Sequence, residues 1–198
     1  AALAHLERSL RAEGLFDPGR KRPLPLLPRA IGLLTGADAA ARGDIVTAVT
    51  TRFPPARIVV CETRVQGRGA PRAIVAALER LAAHPSVDVI VLSRGGGSFE
   101  DLLPFSDEQV VRAVAGCPVP VVSAVGHEQD TPLCDLAADV RASTPTAAAR
   151  LVVPELDGLL DRLGRARAGL ARGLHRCATR DRERTERAGE RLRAAPAR

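Results

Sequence analysis

Three polar clusters in this chain carry residue types able to handle a phosphate ester. Arg94-Gly95-Gly96-Gly97-Ser98 joins a guanidinium to three consecutive glycines. Such a backbone can approach an anion closely and turn several N–H groups toward it, while Arg94 adds a bidentate contact to phosphate oxygens. The plainer alternative is a flexible turn in which Arg94 bridges to Glu100 or Asp101. In Gly126-His127-Glu128-Gln129-Asp130 the imidazole can take a proton from water or give one to a leaving oxygen, and the carboxylate three residues on can orient it or bind a divalent cation. Here too a plain role competes: Asp130-Thr131-Pro132 reads as a helix start that Asp130 only caps, with His127 tying strand end to helix. The third cluster, Thr35-Gly36-Ala37 running on to Arg42-Gly43-Asp44, supplies another carboxylate. Inside a helix Asp44 is most simply a solvated surface residue; it gains chemistry only beside Asp130, where the two could share a metal ion.

What makes these clusters one subject is the elements that precede them. The runs Ala30 to Leu34, Ile58 to Cys61, Val87 to Leu92 and Val119 to Val125 are β-branched and nearly continuously apolar, as strands buried on both faces must be. Between them Ile45, Ala48, Val49 and Phe53 form one helical stripe and Ile74, Ala77, Leu78 and Leu81 another. Ser106 with Gln109 reads as a capping box opening a third helix that carries Val110, Val111 and Val114. The alternation predicts an α/β fold with an open, mainly parallel sheet flanked by helices on both faces. All three clusters then fall at carboxyl ends of strands, the edge where such sheets bind ligands. Gln66-Gly67-Arg68-Gly69 follows the second strand and brings a cationic loop to that edge. Ser143-Thr144-Pro145-Thr146 reads as a helix cap whose hydroxyls could also hold phosphate.

The flanks differ from this middle. Residues 1–28 read as a short helix with Leu3, Leu6 and Leu10 at helical spacing, a Gly14 and Asp17-Pro18-Gly19 stop, and a proline-rich connector; 29–153 form the α/β domain. From 154 to 198 Leu156, Leu159, Leu160, Leu163, Leu170 and Leu174 begin a long amphipathic, coiled-coil-like helix whose seam thins after Cys177, so its last stretch is expected to fray without a partner. The charge follows this division: of a net +6, residues from Glu155 onward hold +5, with 12 arginines against 7 acidic residues. Four widely spaced cysteines, with no C-x-x-C pair, argue for reduced, buried thiols over a zinc site or disulfides. No run approaches a membrane span and no signal peptide opens the chain, so a soluble, intracellular product is expected. The absence of Met implies a piece of a longer protein, and four Phe as the only aromatics leave any nucleic-acid grip mainly electrostatic.

Taken jointly, Leu24-Pro25 with Pro28, Thr35-Gly36, Arg42 with Asp44, Val65-Gln66-Gly67, the run Arg94 to Leu102 with Phe105, Pro120 to Asp130 with Asp135, Ala138-Asp139, and Thr144 to Ala148 resemble the large subunit of bacterial exodeoxyribonuclease VII over about residues 14–154. The resemblance implies a cytoplasmic enzyme that hydrolyses single-stranded DNA from either end and releases oligonucleotides. It also implies several copies of a small helical subunit recruited by the C-terminal helix, and an N-terminal OB-fold absent from this chain. The family's catalytic positions fall on Asp44, Arg94, His127 and Asp130, with Thr35, Gly36, Arg68, Gly95, Gly96, Gly97 and Ser98 as phosphate or DNA contacts and Asp44 and Asp130 as ligands of a Mg2+ ion. Two other readings compete: a nucleotide- or phosphate-binding doubly wound module, and a non-catalytic assembly scaffold.

Overall fold

A computed structural model describes residues 2–37, 39–94, 99–126 and 130–194. The chain divides into two units, Ala1–Glu155 and Leu156–Arg198. The first opens with α1 (Ala2–Ala12), whose Leu10 is buried, and Gly14 ends it at φ +77°, a left-handed conformation that suits glycine. Then β1 (Ala30–Thr35), α2 (Ala39–Arg52), β2 (Ile58–Glu62), α3 (Ala70–Ala82) and β3 (Val87–Ser93) alternate as the hydrophobic runs require. A 3-10 helix (Phe99–Ser106) leads into α4 (Glu108–Gly116), β4 (Val121–Ala124), α5 (Leu133–Ala137), β5 (Val140–Arg141) and α6 (Pro145–Val152).

The five strands pair in the order β2-β1-β3-β4-β5, and every pairing is parallel. Period-two alternation sends side chains to two layers. Ile31 and Leu33 of β1 and Val89 and Val91 of β3 pack with Ile45 and Val49 of α2 and Ala148, Ala149 and Val152 of α6. Leu34, Ile90 and Leu92 face the other way, onto Ile74, Leu78 and Leu81 of α3, Val110 and Val114 of α4, and Phe105 of the 3-10 helix. The chain leaves β1 for β2 on one side and later returns across it to β3 on the other. The strand order therefore reverses between β1 and β3, and that is where a crevice opens outside the carboxyl ends of such a sheet.

Three details differ from the sequence reading. β5, only two residues long, has too little length to show a period, yet it pairs Val140 with Val122. The cap of α4 is Asp107, whose carboxylate accepts from the Gln109 amide at 2.9 Å, while the Ser106 hydroxyl accepts from the Leu133 amide at 3.0 Å and ties α5 to the 3-10 helix. A carboxylate one residue nearer the helix outcompetes the serine as cap, which frees the hydroxyl for a buried donor. Of the thiols, Cys117 and Cys134 are buried, but Cys61 is half-buried and Cys177 exposed.

The connector before β1 is fastened to the domain. Lys21 donates to the carbonyl oxygens of Leu136 (3.3 Å) and Ala138 (3.0 Å). Arg22 donates to both oxygens of Asp139, through Nε at 3.0 Å and Nη2 at 2.8 Å, and to the carbonyls of Cys117 and Val119. Burial alone would push the Asp139 carboxyl up, but hydrogen bonds from the Arg22 side chain and amide and from the Val121 amide hold it below its ordinary value. A carboxylate depressed on folding contributes stability that is complete above its unfolded pKa, about 4, and lost as pH falls through the lower folded value. Arg22→Ala is therefore expected to cost about 2 kcal/mol at pH 7 and distinctly less near pH 3. Urea unfolding at the two pH values measures this; an equal cost at both would contradict the assignment.

The second unit is α7 (Leu156–Ala194), 39 residues of continuous helix. The expected fraying after Cys177 is not seen. There the thinning seam is replaced by intrahelical pairs, Arg182 with Glu186 and Glu183 with Arg187 at i, i+4, on residues of good helix propensity. Leu160, Leu163, Leu170 and Leu174 are 54%, 59%, 70% and 72% exposed. No helix among the described residues is long and apolar enough to cross a membrane.

Candidate active site

The β1–β3–β4 edge gathers the chain ends that matter. Thr35 closes β1, Ser93 closes β3 with Arg94 next, and Val125 and Gly126 follow β4. Ser93 pairs with Ala124 in the β3–β4 register, so Arg94 and Val125 leave the sheet side by side, and Arg94 Nε donates to the Val125 carbonyl at 3.3 Å. The guanidinium is thereby fixed to the backbone two residues before His127 in sequence.

Gly126 has a tight geometric reason to be glycine. A Cβ there would stand 2.7 Å from the Asp130 carbonyl oxygen and 2.7 Å from Pro132 Cδ, and would also strike Asp135 Oδ2. The two ends of the 126–130 segment therefore lie against each other. Beneath them, Asp135 is 2% exposed. Its Oδ1 accepts from Ser123 Oγ at 2.6 Å and its Oδ2 from Arg141 Nε at 3.1 Å. Burial pushes the Asp135 carboxyl up, and the Ser123 hydroxyl and Arg141 only partly offset it. The same burial drives the neighbouring Cys134 thiol well up, leaving it an inert core residue.

Asp135's raised pKa has the opposite sign to Asp139's. The folded state holds this proton more tightly than the unfolded chain, so stability falls as pH rises from the unfolded pKa through the folded one. In Asp135→Asn, which keeps the shape and the Ser123 contact, that pH-dependent loss between about pH 4 and the folded value disappears. Denaturation midpoints across this range check it, and an unchanged slope would be the contrary result.

On the other flank a Cβ at Gly36 would lie 2.7 Å from Val65 Cγ2, so the β1–α2 turn packs directly on the β2–α3 loop. That loop carries exposed Arg64 and Arg68, turns at Gly67 with φ +80°, and lines two clefts. One, of about 480 Å³, is bounded by Ala37, Glu62, Arg64 and Gln66; the other, of about 370 Å³, by Arg68, Pro71, Leu103 and Asp107. Arg42 pairs with Glu62 at the same rim.

Of the residues singled out from sequence, Thr35, Gly36 and Arg94 stand at the switch-point edge with the chain at Gly126 and Asp130, and Arg68 stands on the loop packed against Gly36. Asp44 is exposed on α2. Asp130 is partly buried and does not cap α5, whose N-cap is Pro132 with no side-chain hydrogen bond. Thr144 is a cap, accepting from the Ala147 amide at 3.0 Å. Gly95, Gly96, Gly97, Ser98 and His127 lie outside the described residues. Among the described residues no three of His, Cys, Asp and Glu are grouped to hold a metal ion. Asp44 and Asp130 fit magnesium by donor type, as hard oxygens, without forming a cradle by themselves.

The sequence reading missed Ser93 and the Ser123–Asp135–Arg141 network. Its available signals were a serine closing an otherwise apolar strand and an Asp inside the run Leu133-Cys134-Asp135-Leu136. A polar residue at a core position calls for a partner, and Asp135 finds its partners in Ser123 and Arg141 beneath Gly126.

The family model for the exonuclease VII large subunit matches residues 15–198. The chain is 59% identical to the exodeoxyribonuclease 7 large subunit of Mycobacterium tuberculosis (strain ATCC 25618 / H37Rv) over 155 residues, 78% of this chain and 37% of that protein. It is 58% identical to the protein of the same name from Thermobifida fusca (strain YX) over 156 residues, 79% of this chain and 38% of the relative. The chain thus spans little more than a third of the length of the curated relatives it matches.

Proposed function

Because this chain belongs to the exonuclease VII large-subunit family, we propose that its α/β unit hydrolyses phosphodiester bonds of single-stranded DNA, exonucleolytically from either end, releasing oligonucleotides. The observation that carries this reading is the hydrogen bond from Arg94 to the Val125 carbonyl, which links the cation after β3 to the chain leaving β4 at the strand-order reversal. A phosphate held there meets both segments at once.

In this reading Arg94 and the amides of residues 95–98 hold the nonbridging oxygens of the scissile phosphate and offset the charge gained in the transition state. Water oxygen attacks phosphorus as the bond to the departing sugar oxygen breaks. The water's proton leaves and the departing oxygen gains one, with His127 the group that exchanges it. Asp130 and Asp44 orient the imidazole and the water. They are also the residues that would hold a magnesium ion, whose contribution when bound is positive charge at the phosphate. Thr35, Gly36 and Arg68 contact the strand's backbone on the β1–β2 side.

The exposed leucines of α7 support a second element of the reading, that this helix recruits copies of a small helical subunit. With few aromatic platforms and about three arginine–phosphate contacts, affinity for single strands is expected to fall with a log–log salt slope near −2; a flat salt titration would contradict an arginine-based grip. The function itself is tested with end-labelled linear single strands, circular single strands and duplex, with and without the small subunit. Oligonucleotide release from linear single strands labelled at either end, with circles intact, is expected. Circles cut as fast as linear strands, or no release at any subunit ratio, would overturn the proposal.

A further inference from the structure

Two fully buried hydroxyls at the switch point lack partners. Thr35 and Ser93 are each 0% exposed, and neither Thr35 Oγ1 nor Ser93 Oγ has a hydrogen-bond partner among the described residues. Arg94 Nη1, on the next residue, is buried and equally without one. Native interiors leave few such atoms, because each forfeits its hydration with nothing in return. Three within one strand end of each other call for a shared cause.

Their placement indicates what would satisfy them. Leu34 pairs with Leu92, so Thr35 and Ser93 are the next neighbours across the β1–β3 ladder, about one strand spacing apart. By period-two alternation both hydroxyls fall on the face of Leu33 and Val91, the side covered by α2. The amino end of α2, a 14-residue helix, opens at Ala39 beyond this same edge and contributes partial positive charge. Helix amino end and Arg94 both disfavour a cation. A guanidinium N–H only donates, whereas a hydroxyl donates or accepts, so the ligand class that all three suit is an acceptor: an oxyanion.

We propose that Thr35 and Ser93, with Arg94, form an oxyanion subsite at the β1–β3 reversal that takes one phosphate group of the bound strand, with Ser93 a phosphate-binding residue beside the already implicated Thr35. This rests on the nuclease reading for the identity of the ligand, but not for the chemistry of the subsite. Its cost is visible as orphaned hydroxyls, and its return is an anion desolvated against fixed donors.

The test is thermal unfolding of the full chain over a titration of inorganic phosphate, for the wild type, Ser93→Ala, Thr35→Val and the double variant, with single-strand cleavage assayed in parallel. Two results are expected together. Without phosphate the variants melt at or above the wild-type temperature, since an unpaired polar atom has been removed. With phosphate the wild type rises, and each variant's apparent affinity is weaker by about tenfold or more, the value of a hydrogen bond to a charged group. Unchanged phosphate affinity in the variants, no phosphate response in the wild type, or variants that melt well below it would each overturn the subsite; the hydroxyls would then hold structural water or an internal partner. A wild type that binds phosphate through these hydroxyls yet cleaves no strand at any ratio of the small subunit would instead sink the nuclease reading and leave the subsite standing.

Discussion

His127→Ala is expected to lower single-strand cleavage by about 10²- to 10⁴-fold while leaving strand affinity essentially unchanged. The imidazole is the group in the 126–130 segment suited to move a proton at neutral pH, and Asp130 at the far end of that segment is free of the capping role that would otherwise explain it. Binding is expected to survive because the proposed grip lies with other residues: Arg94, fixed to the Val125 carbonyl, and Arg64 and Arg68 on the adjacent loop. Parallel measurement of cleavage rate and fluorescence anisotropy separates the two. Equal loss of both would make His127 a binding residue, and unchanged cleavage would return the chain to the phosphate-binding module or scaffold readings.

Gly126→Ala should be nearly as damaging to activity, through position alone. The added methyl meets the Asp130 carbonyl and Pro132 at 2.7 Å and the buried Asp135 carboxylate as well, and none of these is the free end of a flexible chain. Either the 126–130 segment moves outward or the Ser123–Asp135–Arg141 floor gives way. Overpacking of this kind costs about 1–3 kcal/mol, and a displacement of roughly 1 Å in a catalytic segment costs on the order of 10²-fold in rate. The variant should remain folded at 25 °C with a depressed rate and a lowered melting temperature. Wild-type activity would show that the segment is not held as described.

These two predictions depend on features that differ in how far the sequence revealed them. The buried strands were legible because parallel strands covered on both faces must be apolar throughout, and four such runs with intervening stripes at 3.6-residue spacing leave few topologies. The glycine and arginine clusters were legible as types, since three consecutive glycines after Arg94 have few structural uses. Ser106 and Asp107 show the limit: two adjacent capping residues compete for one helix, and which wins depends on where Leu133 needs an acceptor, a contact 27 positions away. Ser93 and Asp135 show it again, because a serine closing a strand and an aspartate in an apolar turn acquire meaning only from neighbours on other strands. The persistence of α7 beyond Cys177 follows from charge pairs along its surface, which an argument from its leucine seam alone overlooks.

The most direct measurement is a crystal structure of the chain bound to a short single strand whose phosphodiesters resist hydrolysis. One phosphate should receive the Arg94 guanidinium, with the His127 imidazole within hydrogen-bond reach of the same phosphate's attacking or departing oxygen and Asp130 beside it. A strand bound elsewhere, or Arg94 and His127 facing different surfaces with no phosphate between them, would contradict the account.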